Sequence, residues 1–246
     1  MASKIHIVCG ARSAIAQCLI KTLSLEPDVK IFAFSRGTRP SNLNQVNSLE
    51  WVSINYNEAE IAEACRQLKA SIDADACTVH SITIFHGTLH SDTYQPERAL
   101  KQLTRNNLSA IFEANTFVPI NWIQQLLPIL DRKARATITV FSARIGSISD
   151  NRLGGWHSYR ASKAALNMLL KTTAIEIARS HPKTKLIAFH PGTTKTPLSE
   201  PFTKSLPNEK LFSPEFAASQ LLSVIEHSKA DGELSYLDWK NEAIGW

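Results

Sequence analysis

Short apolar runs alternate with segments of helical period along most of this chain, and that alternation restricts its fold more than any other feature. Residues 5–9 form an apolar run closed by Gly10, and Ile15, Leu19, Ile20 and Leu23 follow at a 3.6-residue spacing. The pattern predicts strand, turn, helix. Further strands are expected at 30–35, 49–54, 78–85, 136–141, 185–189 and 234–237. Helical patterns cover 58–68, about 106–130 and 159–179. Another opens at Ser213-Pro214-Glu215, where a capping serine, a first-turn proline and an early acid suit the positive end of a helix dipole. Pro119 and Pro128 are expected to kink or end the 106–130 helix. Alternation of this kind gives βαβ units and a parallel sheet. The expected fold is α/β, a Rossmann-type doubly wound parallel sheet of about seven strands with helices on both faces, as one domain over residues 1–246. Its ligands would bind beyond the carboxyl ends of the strands.

The segments after those strands carry the candidate chemistry. Gly10-Ala11-Arg12-Ser13-Ala14-Ile15-Ala16 could cradle a diphosphate on a helix N-terminus, with Gly10, Arg12, Ser13 and Ile15 as contacts. Ala14 and Ala16 stand where a glycine-rich fingerprint has glycines, so an ordinary strand-to-helix turn is an equal reading. The second strand ends in Ser35-Arg36, with Arg39 just beyond. An acid there would bind a ribose, whereas an arginine can pair with a 2′-phosphate, so NADP(H) is favoured over NAD(H). The alternative is a pair of ordinary solvated arginines. Tyr159 and Lys163, four apart, share one helical face, and a cation beside a phenol lowers the tyrosine pKa. Tyr236 and Lys240 repeat that spacing near the C-terminus and are read as surface.

Taken together, Tyr159 and Lys163 in Tyr-Arg-Ala-Ser-Lys, Asn115 in Glu-Ala-Asn-Thr, and Pro191-Gly192 with Thr196 resemble the short-chain dehydrogenase/reductase family. The resemblance runs from the Gly10 turn to Trp246. Within the family, the Gly154-Gly155 segment before Tyr159 looks most like the C-factor and carbonyl-reductase-like group. The resemblance implies hydride transfer between NADP(H) and a carbonyl or alcohol substrate. Tyr159 would be the acid or base. Lys163 would hold the nicotinamide ribose and depress the tyrosine pKa, and Asn115 would position a water. Pro191, Gly192, Thr194 and Thr196 would contact the cofactor, and residues 193–213 would form the substrate loop. Of the family's Asn-Asn-Ala-Gly after the fourth strand only Gly87 remains, with His86 beside it. Asn55 stands for the usual acid after the third strand.

The family's serine should stand three residues before a loop glycine, but counting back from Gly146 reaches Ala143. Ser142 one place earlier, Ser147 in the loop, or no serine at all remain open, with Ser142 ahead. Strand alternation argues against Ser142 if the strand is still regular there.

Bulk properties exclude other classes. The net charge of +5 is spread along the chain and not gathered into a basic tract, so no nucleic-acid partner is expected. No stretch approaches the roughly 20 apolar residues of a membrane span. Cys9, Cys18, Cys65 and Cys77 lack metal-ligand spacing, and with no export signal they suggest reduced thiols in the cytoplasm. The family resemblance implies a homodimer or homotetramer, and apolar residues on more than one face of 106–127 and 164–178 fit such an interface. A nucleotide-binding regulatory protein with little or no turnover, and an interaction module without cofactor, are the competing readings.

Overall fold

The computed structural model describes residues 4–75, 77–203, 207 and 210–246. Strands β1 (Lys4–Cys9), β2 (Val29–Ser35), β3 (Leu49–Ser53), β4 (Thr78–Ile84), β5 (Ala136–Phe141), β6 (Thr184–His190) and β7 (Leu234–Asp238) form one parallel sheet. Their order is β3-β2-β1-β4-β5-β6-β7. The chain winds outward from β1 to β3, returns to β4 beside β1, and then winds the other way. That reversal opens a crevice beyond the carboxyl ends of β1 and β4.

The apolar runs are continuous and not alternating because helices cover both faces of the sheet. Helices α1 (Ala14–Leu23) and α6 (Pro214–His227) cover one face, where Leu19, Ile20, Ala217 and Leu221 pack against Val8, Ala33 and Ile187. On the other face lie α2 (Glu58–Asp75), α4 (Val118–Leu126) and α5 (His157–Ser180), whose Ile61, Trp122 and Leu166 pack against Ile7, Ile82 and Ile138. Ser213 caps α6 by accepting from the Phe216 N–H, as its sequence predicts. No helix among the described residues is long and apolar enough to cross a membrane.

The 106–130 region differs from one kinked helix. It is α3 (Arg105–Phe112), a π turn over Glu113–Phe117, α4, and a 3-10 turn over Leu127–Ile129. The irregularity precedes Pro119. A proline ring collides with the carbonyl four residues back, here that of Asn115, and the wider π turn sits at that place. Asn115 is thereby rolled into the core.

Candidate active site

The crevice is a cleft of about 1550 Å³ running across the carboxyl edge of the sheet. Gly10, Arg12, Ser13 and Ile15 line one end, together with Ser35, Arg36 and Asn55 from the ends of β2 and β3. Gly87 lies midway. Ser142, Tyr159 and Lys163 line the other end, roofed by Pro191, Gly192, Thr194 and Thr196. Asn115 does not reach the cleft and is fully buried beside it.

At the first end, Gly10 has φ of +81°, and a Cβ there would stand 3.3 Å from Phe85. Both the conformation and the close approach demand glycine. Helix α1 begins just beyond, with no acid in its first turn and no side-chain bond from its N-cap Ser13. Its first N–H groups and positive dipole end are thus available to an anion. The Ser35 hydroxyl accepts from the Arg12 N–H at 3.2 Å, holding the turn against β2. Arg36 lies over the Tyr56 ring at 5.2 Å, and the Arg12 guanidinium reaches above Gly37. Arg39 does not join them. Its guanidinium is spent on the carbonyls of Leu43, Val46 and Leu49, because it ties down the β2–β3 loop. Asn55 donates its amide N–H to Glu60, which leaves the amide oxygen as the group it can offer a ligand.

At the other end, helical spacing puts Tyr159 and Lys163 on the inward face of α5, both buried. Lys163 Nζ donates to the Phe141 carbonyl at 2.8 Å, and desolvation pulls its pKa down to about 7. The expectation that Lys163 depresses the Tyr159 pKa is not met. Burial, with a smaller contribution from Tyr236, pushes the phenol above its ordinary value. The amine is turned to Phe141, and desolvation weakens its charge, so burial prevails. Asn115 braces this end: it accepts from the Thr88 N–H at 2.6 Å and donates to the Thr88 carbonyl at 2.9 Å and to Ser162 Oγ at 3.0 Å. Both its amide hydrogens are spent on the protein, so the side chain joins the β4–α3 segment to α5 and does not extend into the cleft.

Strand geometry bears on the serine question. The Ser142 N–H still pairs with the Phe189 carbonyl, so regular β5 continues one residue further. Its hydroxyl consequently points away and donates to buried Asn167 Oδ1 at 2.6 Å. Ser147 accepts from the Asp150 N–H at 3.1 Å and does not line the cleft. Ala143 is the residue packed with Tyr159 and Leu89. The hydroxyl directions of Ser142 and Ser147 support a site that works without either serine, and the surface reading of Tyr236 is corrected. Tyr236 is 3% exposed and donates to the Ala143 carbonyl at 2.6 Å from beneath the site, because alternation along β7 turns it inward.

Other residues join the site without a local signal. Glu97 is 2% exposed and accepts from the Ser158 N–H at 3.1 Å and from the Ser158 hydroxyl. Trp156 lines the cleft in a left-handed conformation, φ of +51°, directly before α5. His86 and His190 also line the cleft, and burial holds them neutral with pKa values of about 3 and about 4. Of the expected substrate loop, 204–206 and 208–209 lie outside the described residues.

Comparison with known proteins agrees with this architecture. The family model for short chain dehydrogenase matches residues 4–207. An uncharacterized oxidoreductase of Schizosaccharomyces pombe is 24% identical over 253 residues, covering 98% of both chains. The C-signal protein of Myxococcus xanthus is 26% identical over 148 residues, 60% of this chain and 84% of that one. The NADPH-bound carbonyl reductase from chicken fatty liver superposes with a TM-score of 0.81 at 21% identity, over 100% of both chains. The cleft, its paired Tyr159 and Lys163 and the 204-residue span of the match lead to one assignment, that this chain belongs to the short-chain dehydrogenase family of oxidoreductases.

Proposed function

We propose that the protein is an NADP(H)-dependent oxidoreductase acting between a carbonyl and an alcohol, with Tyr159 as the proton donor and acceptor. The observation that carries this reading is that one cleft holds an anion-ready helix end beside Arg12 and Arg36 and, at its opposite end, buried Tyr159 and Lys163. The residues fit a dinucleotide: the Gly10 turn gives the close approach a diphosphate needs, and no acid stands at the end of β2 to repel a 2′-phosphate. The NADPH bound in the chicken enzyme of like fold supports the same cofactor class.

A bound reduced nicotinamide supplies hydride to the carbonyl carbon. As the C=O π pair moves onto oxygen, Tyr159 Oη transfers its proton there and the product is an alcohol. Solvent restores that proton. Burial keeps Tyr159 protonated at neutral pH, as a donor must be. Lys163 Nζ is placed to bond ribose hydroxyls, and Pro191, Gly192, Thr194 and Thr196 to close over the cofactor. With Ser142 and Ser147 turned elsewhere, the carbonyl oxygen is polarised by Tyr159 without a serine. That observation also favours a second reading, nucleotide binding without turnover.

A fluorescence titration with NADPH and NADH, followed by a panel of aldehydes and ketones, separates the two. Saturable binding with NADPH preferred is expected, and Tyr159→Phe should lower turnover by about 10²–10⁴-fold while cofactor binding is kept. Equal rates in wild type and Tyr159→Phe would remove the catalytic assignment, and binding with no turnover on any carbonyl would leave the second reading.

A further inference from the structure

The turn that launches α5 adopts an unfavourable conformation and is held in it from two sides. Gly154, Gly155 and Trp156 have φ of +64°, +65° and +51°, three left-handed residues in succession. The first two are glycines, for which this conformation is free. The third is the bulkiest side chain there is, and such a residue persists in that region only where its surroundings impose it.

The restraints are visible. The Trp156 N–H donates to the Glu97 carbonyl at 2.5 Å, while the Glu97 carboxylate takes the Ser158 N–H and hydroxyl. Helix α5 has no acid of its own in its first turn, so Glu97 supplies the negative charge its positive end favours, from a different part of the chain. On the other side Arg160 donates to the carbonyls of Gly155 at 3.0 Å and Gly154 at 3.1 Å. A buried acid and an arginine thus clamp one turn.

What the clamp achieves is the placement of a ring. Trp156 meets Phe202 edge-on with centroids 5.1 Å apart, and Tyr159 at 6.3 Å. Leu89, Ala143, Ile145 and Leu198 complete this apolar cluster, and His90 meets Phe202 edge-on at 5.6 Å. Aromatic walls in tilted contact prefer a planar π-ring to a saturated ring of equal bulk, since ring edges and faces carry opposite partial charge.

We propose that Glu97 is a positioning residue that holds Trp156 across the Tyr159 end of the cleft, and that Trp156 there selects a flat aromatic carbonyl compound as substrate. The proposal rests on the reductase reading above and adds the substrate class to it.

Acetophenone and cyclohexyl methyl ketone test it, because they share a methyl ketone and differ in whether the ring is planar. In Trp156→Leu, kcat/KM for acetophenone should fall by about 5–10-fold, carried by KM, while the cyclohexyl ketone changes little. Trp156→Phe should retain the aromatic preference. Glu97→Gln should reproduce the selective loss with the NADPH Kd unchanged, which a merely structural role for the turn would not do. Should Trp156→Leu fail to fold, Trp156→Gly, whose backbone accepts this conformation, supplies the same comparison. Equal losses on the two ketones, or none, overturn the proposal. If wild type reduces other carbonyls in a Tyr159-dependent way but neither prefers nor binds the aromatic ketone, the proposal falls and the reductase reading stands. If nothing is reduced, both fall.

Discussion

Lys163 illustrates how burial decides a residue's chemistry. Desolvation takes its amine from an ordinary 10.5 down to about 7. Between those values the unfolded chain binds the proton that the folded chain has lost, so this group makes stability rise with pH across that window. Its destabilising effect is fully present below the folded value and is gone above the unfolded one. Lys163→Met should therefore melt higher than wild type near about pH 6, and the advantage should shrink by about pH 10. A melting difference constant with pH would show that the amine titrates normally. Ser142 is decided by its hydrogen bond. Removing the hydroxyl leaves buried Asn167 Oδ1 short of a donor, so Ser142→Ala should cost about 1–3 kcal/mol in urea unfolding with kcat nearly unchanged. A large kcat loss at unchanged stability would return Ser142 to the catalytic set. No inspection of residues 142–147 alone separates these outcomes, because the sequence places Ser142 and Ser147 near the site and only the direction of each hydroxyl excludes them.

Among the elements, the β5–α5 connection is where local pattern and tertiary contact meet. A Cβ on Gly146 would stand 2.9 Å from the backbone carbon and Cβ of Lys163, so the connection lies directly against α5. Gly146→Ala should push α5 outward, destabilising the fold by about 1–3 kcal/mol in denaturant melts and lowering turnover together with it. Unchanged melts would mean the connection gives way without disturbing α5. The strands and long helices were legible because their periods are set by which faces they bury. The π turn at Glu113–Phe117 was not. Pro119 announced an irregularity, but its place one turn earlier depends on Asn115 being drawn in to bond Thr88 and Ser162.

For the whole molecule, α4, α5 and the π turn leave an outward face that carries Phe117 at 51%, Met168 at 67% and Ile175 at 45% exposure. Together with the apolar residues that the same helices bury against the sheet, this makes them apolar on two sides, as subunit-forming helices are. A homodimer or homotetramer built on this face should appear by light scattering coupled to size exclusion, and Met168→Glu should shift it toward monomer. A monomeric wild type would rule the face out as an interface. The sequence by itself determined the parallel doubly wound sheet, the cleft at its carboxyl edge and the family, since hydrophobic period and short motifs are local and survive without knowledge of the fold. Only the tertiary structure decided that Glu97 reaches the start of α5, that Tyr236 lies under the site, and that the Ser142 hydroxyl turns to Asn167. Each of these depends on contacts between residues distant in the chain, whose partners and directions are fixed when the layers pack.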